Sequence, residues 1–87
     1  MKNYFMFYSI EGNLVQEITF SNQIDAALNE VPSLDIANAP FPQTRVFVVR
    51  DKNITLEDVK NILLRKIPNA HFALFSMEDP KSYVFVD

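Results

Sequence analysis

The feature that most constrains the fold of this chain is a set of strand-like stretches that carry apolar residues at consecutive positions. These stretches are residues 4–8, 46–49, 72–75 and 83–86. A strand with one face in water alternates apolar and polar residues, whereas a strand that is apolar on both faces requires cover on both. The sequence holds only two helix-like segments, and these can cover one face of a small sheet. The pattern therefore predicts a sheet whose second face meets another chain.

Length and composition place the chain among small globular domains. Its 87 residues are too few to form two domains, so we expect a single α+β domain over residues 1–87. A hydrophobic content of 48%, with eight Phe, is sufficient for an ordered core. The net charge of −3 is too small for a nucleic-acid mimic and has the wrong sign for a phosphate binder. The composition therefore predicts a small acidic protein that binds no nucleic acid.

The sequence contains no Cys, which excludes disulfides, thiolate metal sites and cysteine catalysis. Small secreted domains usually depend on disulfides, so this composition favours an intracellular protein. The first apolar run ends at Glu11 without a small-residue cleavage site, and it predicts neither a signal peptide nor a membrane span. We therefore expect a cytoplasmic protein with no membrane partner.

Two helices are predicted from their start signals and their apolar stripes. The first has Ser21 or Asn22 as its N-cap, continues with apolar residues at helical spacing, and ends before Pro32. The second begins at Thr55, where Asp58 three residues later completes a capping box. Its acidic residues lie near the start and its basic residues near the end, as the helix dipole favours.

Five strands are predicted, and four of them belong to hairpins. Gly12, the only glycine of the chain, supplies the turn of the first hairpin. The strands cover residues 4–10, 14–20, 45–50, 71–77 and 82–86.

These elements give the order ββαβαββ, a small and mostly antiparallel sheet with two helices on one face. If residues 34–37 form an additional strand, the interior order becomes βαββαβ, which is that of a ferredoxin-like plait. Such a plait would carry one extra strand at each end. The fold class expected is therefore α+β, with this ferredoxin-like variant as the alternative.

The sequence shows no arrangement typical of a catalytic or cofactor site. His71 is the only histidine and lacks the partners of a triad or the spacing of a metal site. The pair Glu57-Asp58 is explained by helix capping, and the pair Glu78-Asp79 by a hairpin turn. With a single glycine there is no phosphate-binding loop. We therefore expect no catalytic residues, no metal and no cofactor.

A base-stacking surface for nucleic acid is also poorly supported. Phe72 and Phe75 are the nearest candidates for a stacking platform, but no basic residues interleave with them.

The alternation of side chains along the first strand indicates which side of the sheet binds a partner. Tyr4, Met6 and Tyr8 share one side, and Phe5 and Phe7 share the other. Because a tyrosine hydroxyl needs water or a partner, we expect the Tyr side to face away from the helices. The proline-rich loop over residues 32–44 is a second candidate surface, although it could instead tuck its apolar residues under the sheet or fold across the open face. The predicted partner-binding residues are Tyr4, Met6, Tyr8, Tyr83, Leu34, Ile36 and Phe41.

Two functional classes are compatible with these patterns. The first is a non-enzymatic protein that binds another protein or a second copy of itself, with the profile of small inhibitors and immunity-type or regulatory proteins. The alternative is a cofactor-free enzyme or small-ligand binder on a dimeric ferredoxin-like sheet, with His71 or a tyrosine as the polar group of an apolar pocket. A closed cavity lined by Phe would favour the alternative, whereas a filled core and an exposed flat sheet would favour protein binding.

Overall fold

The computed structural model describes residues 2–9, 14–37, 43–79, 81 and 83–86, with the backbone alone at positions 14, 15, 17 and 85. Within these ranges five strands and two helices follow one another in the order βαββαββ. They are β1 (Lys2–Ser9), α1 (Leu14–Leu28), β2 (Leu34–Ala37), β3 (Thr44–Val49), α2 (Leu56–Lys66), β4 (His71–Ser76) and β5 (Tyr83–Val86).

The five strands form one sheet in the spatial order β2-β3-β1-β4-β5, in which all neighbours are antiparallel. Strand β1 lies at the centre, between β3 and β4, and these two strands therefore run parallel to each other. The first six elements have the connection order and strand arrangement of a ferredoxin-like plait. Strand β5 extends this plait at the β4 edge. The expected α+β fold class is confirmed, with the extra strand at one edge only.

The core lies between the helices and one side of the sheet. Its largest fully buried side chains come from three strands and both helices, so that a single apolar cluster joins the helices to the sheet. These side chains are Phe47, Met6, Ile24, Leu28, Leu63, Leu74, Val49 and Val59.

Helix α2 begins where its local signals predict. The Thr55 hydroxyl accepts a hydrogen bond from the Asp58 backbone N–H at 3.1 Å, and the Asp58 carboxylate accepts one from the Thr55 N–H at 2.9 Å. This reciprocal pair satisfies two donors that the first turn of a helix leaves open. Val59 and Leu63 point into the core, and Ile67 forms the C-cap. The prediction for this helix is confirmed.

The prediction of a second strand over residues 14–20 is wrong, because these residues form the first half of α1. The strand pattern required Leu14, Ile18 and Phe20 on one apolar side, yet Gln16 falls on the same side. In the helix, Phe20 packs against the core one turn before the buried Ile24, while Ile18 is exposed. The apolar stripe of the predicted helix therefore continues towards the N-terminus at helical spacing. The Gly12 turn that was to close the hairpin lies outside the described residues.

The prediction that the Tyr side of β1 faces away from the helices is also wrong. Tyr4, Met6 and Tyr8 are all buried in the core. Three of their ladder partners on β3 and β4, Phe47, Leu74 and Phe72, are buried with them, since opposite residues of a sheet share a side. Neither α1 nor α2, the helices of the described residues, lies on the side that carries Phe5 and Phe7.

Residues 34–37 form the additional strand that the sequence offered as an alternative. Strand β2 pairs with β3, and the Arg50 N–H donates to the Ser33 carbonyl at 2.9 Å just beyond the last ladder pair. Leu34 and Ile36 point to the core side. Neither helix in the described part of the chain is long and apolar enough to cross a membrane.

Candidate binding surface

The side of the sheet opposite the helices carries a continuous set of apolar residues, which we call the outer surface. Ladder partners place its members side by side on neighbouring strands, such as Phe5 opposite Val46 on β3 and Phe75 on β4. The members in the described part of the chain are Phe5, Phe7, Val46, Val48, Ala73, Phe75, Met77 and Tyr83.

The aromatic rings of the outer surface are partly open to solvent and lie in contact with one another. Phe7 is 51% exposed, and Met77 and Tyr83 are exposed as well. The rings of Phe5 and Phe7 meet edge to face with centroids 4.7 Å apart, and those of Phe75 and Tyr83 lie 6.2 Å apart. Such contacts hold the rings in place without removing them from water. The result is a flat aromatic surface made of side chains that soluble proteins usually bury.

Charge on this side of the sheet is confined to its margin. The described residues of the middle strands β3, β1 and β4 direct no Lys or Arg towards the outer surface. At the β2 edge, Asp35 and Arg50 form an ion pair of 2.8 Å, and both side chains are largely exposed. A pair of this kind contributes little stability, but it leaves the margin neutral. The outer surface is therefore apolar and nearly uncharged.

A polar network on the helix side explains why tyrosine lies inside the fold. The Tyr8 hydroxyl donates to Ser21 Oγ at 3.4 Å, and the guanidinium of Arg45 also donates to Ser21 Oγ. Arg45 Nε donates to the Asp25 carboxylate at 2.7 Å, and its guanidinium lies 5.3 Å from the centre of the Tyr8 ring. These contacts tie α1 to β1 and β3. They give the Tyr8 hydroxyl a partner inside the fold.

The same network sets the ionisation of Arg45. Burial alone lowers the pKa of the guanidinium, but the hydrogen bond to Asp25 and the attraction of Tyr8 and Asp25 outweigh it. The pKa of Arg45 is therefore raised above its usual value, and the side chain remains charged. A buried charge of this kind is tolerated because a carboxylate pairs with it.

The predicted partner-binding residues fall into three groups. Tyr83 lies on the outer surface and is exposed. Leu34 and Ile36 of the proline-rich loop belong to the core side of β2, as do Tyr4, Met6 and Tyr8 on β1. Phe41 lies outside the described residues.

Sequence reasoning missed Phe5 and Phe7 as surface residues because it ranked sides by the presence of a hydroxyl group. The neighbouring strand carries no clear signal, because Arg45 and Phe47 alternate with Val46 and Val48, and an arginine more often marks the solvent side. The structure shows that Arg45 shares its side with Met6 and Tyr8, where Ser21 and Asp25 accept its hydrogen bonds.

The described residues outside this surface offer little catalytic machinery. His71 is exposed at the start of β4, beside an open cleft of about 430 Å³. No group of three or more His, Asp or Glu that could hold a metal occurs among the residues that the structure describes. Phe72 is buried on the helix side and Phe75 lies on the outer surface, so the two residues cannot form one stacking platform.

Comparison of the chain with protein-family models, with curated proteins and with solved structures gives no match.

Proposed function

We propose that this chain is a small non-enzymatic protein that acts by binding protein through its outer surface, and that the occupant of this surface is a second copy of the chain. The observation that carries the proposal is the aromatic, nearly uncharged side of the sheet, which neither described helix covers. Apolar surfaces of this extent on small proteins usually serve as contact sites.

The charge distribution favours a second copy over other occupants. Each chain has a net charge of −3, so two copies repel each other, and this repulsion is smallest when the surfaces in contact carry no charge. The outer surface meets this condition, since its charges form a neutral pair at the margin. A two-fold contact sets the same surface against itself, and an uncharged apolar surface is self-complementary in that arrangement. Nucleic acid would need basic residues that the middle strands do not direct to this side.

The area of the outer surface is consistent with a weak dimer. Five strands spaced about 4.8 Å apart, with about six residues each, form a surface roughly 24 Å wide and 20 Å long. Two such surfaces packed face to face bury roughly 1,000 Å² in total, at the lower limit for a specific complex. We therefore expect a dimer that forms at micromolar concentration and exchanges readily.

The alternative function, a small-ligand enzyme with a closed pocket, has less support. The apolar side chains between the helices and the sheet are buried against one another, and the cleft beside His71 is open to solvent. The cytoplasmic location remains part of the proposal and rests on the cysteine-free sequence.

Sedimentation equilibrium of matched charge variants tests the proposal. The protein should dimerise with a dissociation constant of about 10–100 µM, as a contact of this size allows. Phe7→Glu places a charge in the middle of the contact and should weaken the dimer at least about tenfold. Ile18→Glu is the control, because Ile18 is 54% exposed against 51% for Phe7 but lies on α1.

The control should dimerise like the original chain, and circular dichroism should show that both variants are folded. A protein that stays monomeric at about 100 µM would rule out the second copy as occupant. Equal effects of the two substitutions would place the contact elsewhere on the molecule.

A further inference from the structure

A second concave region lies on the helix side of the sheet, between the start of α2 and the turn that joins β4 to β5. We call it the Tyr4 cleft, and its volume of about 530 Å³ lies in the range of small-molecule sites. Its lining includes Tyr4, Leu56, Glu57, Glu78, Asp79 and Lys81.

The Tyr4 hydroxyl is the unusual group in this cleft. Tyr4 is only 2% exposed, and its ring packs against Phe47 with centroids 5.4 Å apart. No described residue forms a hydrogen bond with the hydroxyl. In the described part of the chain every fully buried polar side-chain atom has a hydrogen-bond partner, so this hydroxyl oxygen is not fully buried. The hydroxyl must therefore open into the cleft that it lines. In the cleft the hydroxyl can bond to water or, in its place, to an acceptor atom of a ligand.

The state of this hydroxyl is set by its surroundings. Burial, together with the nearby Glu78 carboxylate, raises the pKa of the Tyr4 phenol above its usual value. The phenol therefore keeps its proton at neutral pH and is able to donate it to an acceptor on a ligand.

One wall of the cleft favours a negative group. Leu56 and Glu57 are the first two residues of α2, so their backbone N–H groups have no partner inside the helix. The positive end of the helix dipole lies at the same place. Lys2 and Lys81, which also line the cleft, add positive charge. Together with the Tyr4 hydroxyl, these groups are the donors that a carboxylate binds.

The remaining polar side chains favour a positive group. The Asn3 backbone N–H donates to both oxygens of Glu78 at 2.9 Å, and the Asn3 side-chain amide donates to one of them at 2.6 Å. The hydrogen bond from the backbone of Asn3 is the main reason why the pKa of Glu78 is lowered. Glu78 is thus a fixed negative charge, and the cleft is also lined by Asp79 and by Glu57, whose carboxylate is paired with Lys60 at 2.6 Å.

We propose that the Tyr4 cleft binds a small zwitterion with an apolar body, of the size of a free amino acid. Its carboxylate accepts from the Tyr4 hydroxyl and the start of α2, and its ammonium group faces the carboxylates of Glu57, Glu78 and Asp79. Leu56 and Val84 provide apolar contact for the body of the ligand. Tyr83 of the outer surface also lines the cleft, but none of the ligand contacts named here involves it, so the proposal does not depend on dimerisation.

Titration with L-phenylalanine, followed by two-dimensional NMR of the labelled protein, tests this site. At up to about 10 mM ligand we expect saturable shifts for residues around the cleft. Two analogues each lack one charged group of the ligand. Phenylalanine amide has no carboxylate, and N-acetylphenylalanine has no ammonium group. Each should bind at least about tenfold more weakly, because each leaves one set of charged groups unpaired.

Two variants locate the site on the protein. Tyr4→Phe should weaken L-phenylalanine binding about tenfold or more and leave thermal stability unchanged, since the hydroxyl has no partner to lose among the described residues. Tyr8→Phe is the control, because this buried tyrosine on the same strand bonds to Ser21 away from the cleft. It should leave binding unchanged. Absence of shifts, equal binding of the analogues, or an unaffected Tyr4→Phe variant would each overturn the proposal.

Discussion

Arg45 is a charged residue that the fold accommodates on the core side of the sheet. Its side chain is largely buried between α1 and β3, and its guanidinium contacts Asp25, Ser21 and the Tyr8 ring. Placing this charge on the helix side requires a carboxylate and a hydroxyl there as well. The phenylalanines of β1, which need no such partners, are left on the outer surface.

The energetic importance of this network can be measured with two aspartate variants. Asp25→Ala should lower the free energy of unfolding by about 1–3 kcal/mol, because it leaves the buried Arg45 charge without its partner. Asp35→Ala removes the partner of the exposed Arg50 and should cost less than about 0.5 kcal/mol. Urea denaturation of both variants gives the comparison. Similar losses would mean that the Arg45 network contributes no more than a surface ion pair.

At the scale of elements, α1 and α2 differ in how much of their structure is encoded locally. The start of α2 is set by Thr55, Asp58 and the neighbouring apolar residues, all within a few positions of one another. The first half of α1 has no such signal in its described residues. It forms because Phe20 and the apolar residues that follow pack against the sheet, which is a tertiary effect.

Two substitutions to alanine should therefore change stability in opposite directions. Asn22 is exposed within α1, and Asn22→Ala should raise the free energy of unfolding by about 0.5 kcal/mol through better helix propensity. Thr55→Ala removes the N-cap of α2 and should lower the free energy of unfolding by about 0.5–2 kcal/mol. If Asn22→Ala also destabilised the protein by about 1 kcal/mol, Asn22 would be a helix cap and α1 would begin there.

The elements also mark the limit of what could be predicted from the sequence. Strands β3, β4 and β5 and helix α2 were predicted to within about two residues. The residues from Leu14 to Phe20 were assigned to a strand because a few apolar positions fit periods of both 2 and 3.6 over so short a segment. The side of the sheet that helices cover could not be predicted from β1 alone, since both sides of that strand are apolar. It depends on Arg45, whose partners Asp25 and Ser21 come from a different element.

At the scale of the whole molecule, charge and apolar surface are separated. The net charge of −3 is spread over helices, turns and margins, while the middle of the outer surface carries none. A dimer through this surface would hold its charges apart and bury its aromatic rings.

The salt dependence of dimerisation tests this separation. Between about 50 and 500 mM NaCl, the dissociation constant should stay constant or fall a few-fold, because salt screens the repulsion between the two negative chains. Apolar contact itself is not weakened by salt. Analytical ultracentrifugation at both concentrations provides the measurement. A tenfold rise in the dissociation constant would indicate a contact made by ion pairs, in disagreement with an apolar interface.

The central position of β1 has a consequence for the way in which the chain is made. Both neighbours of this strand, β3 and β4, come later in the sequence, so during synthesis β1 emerges before either partner exists. At ribosomal rates its apolar residues wait on the order of several seconds for β4. During that interval Phe5 and Phe7 are exposed together with Tyr4, Met6 and Tyr8. The nascent chain is therefore most vulnerable to aggregation, and most dependent on chaperones, before the last strands have been synthesised.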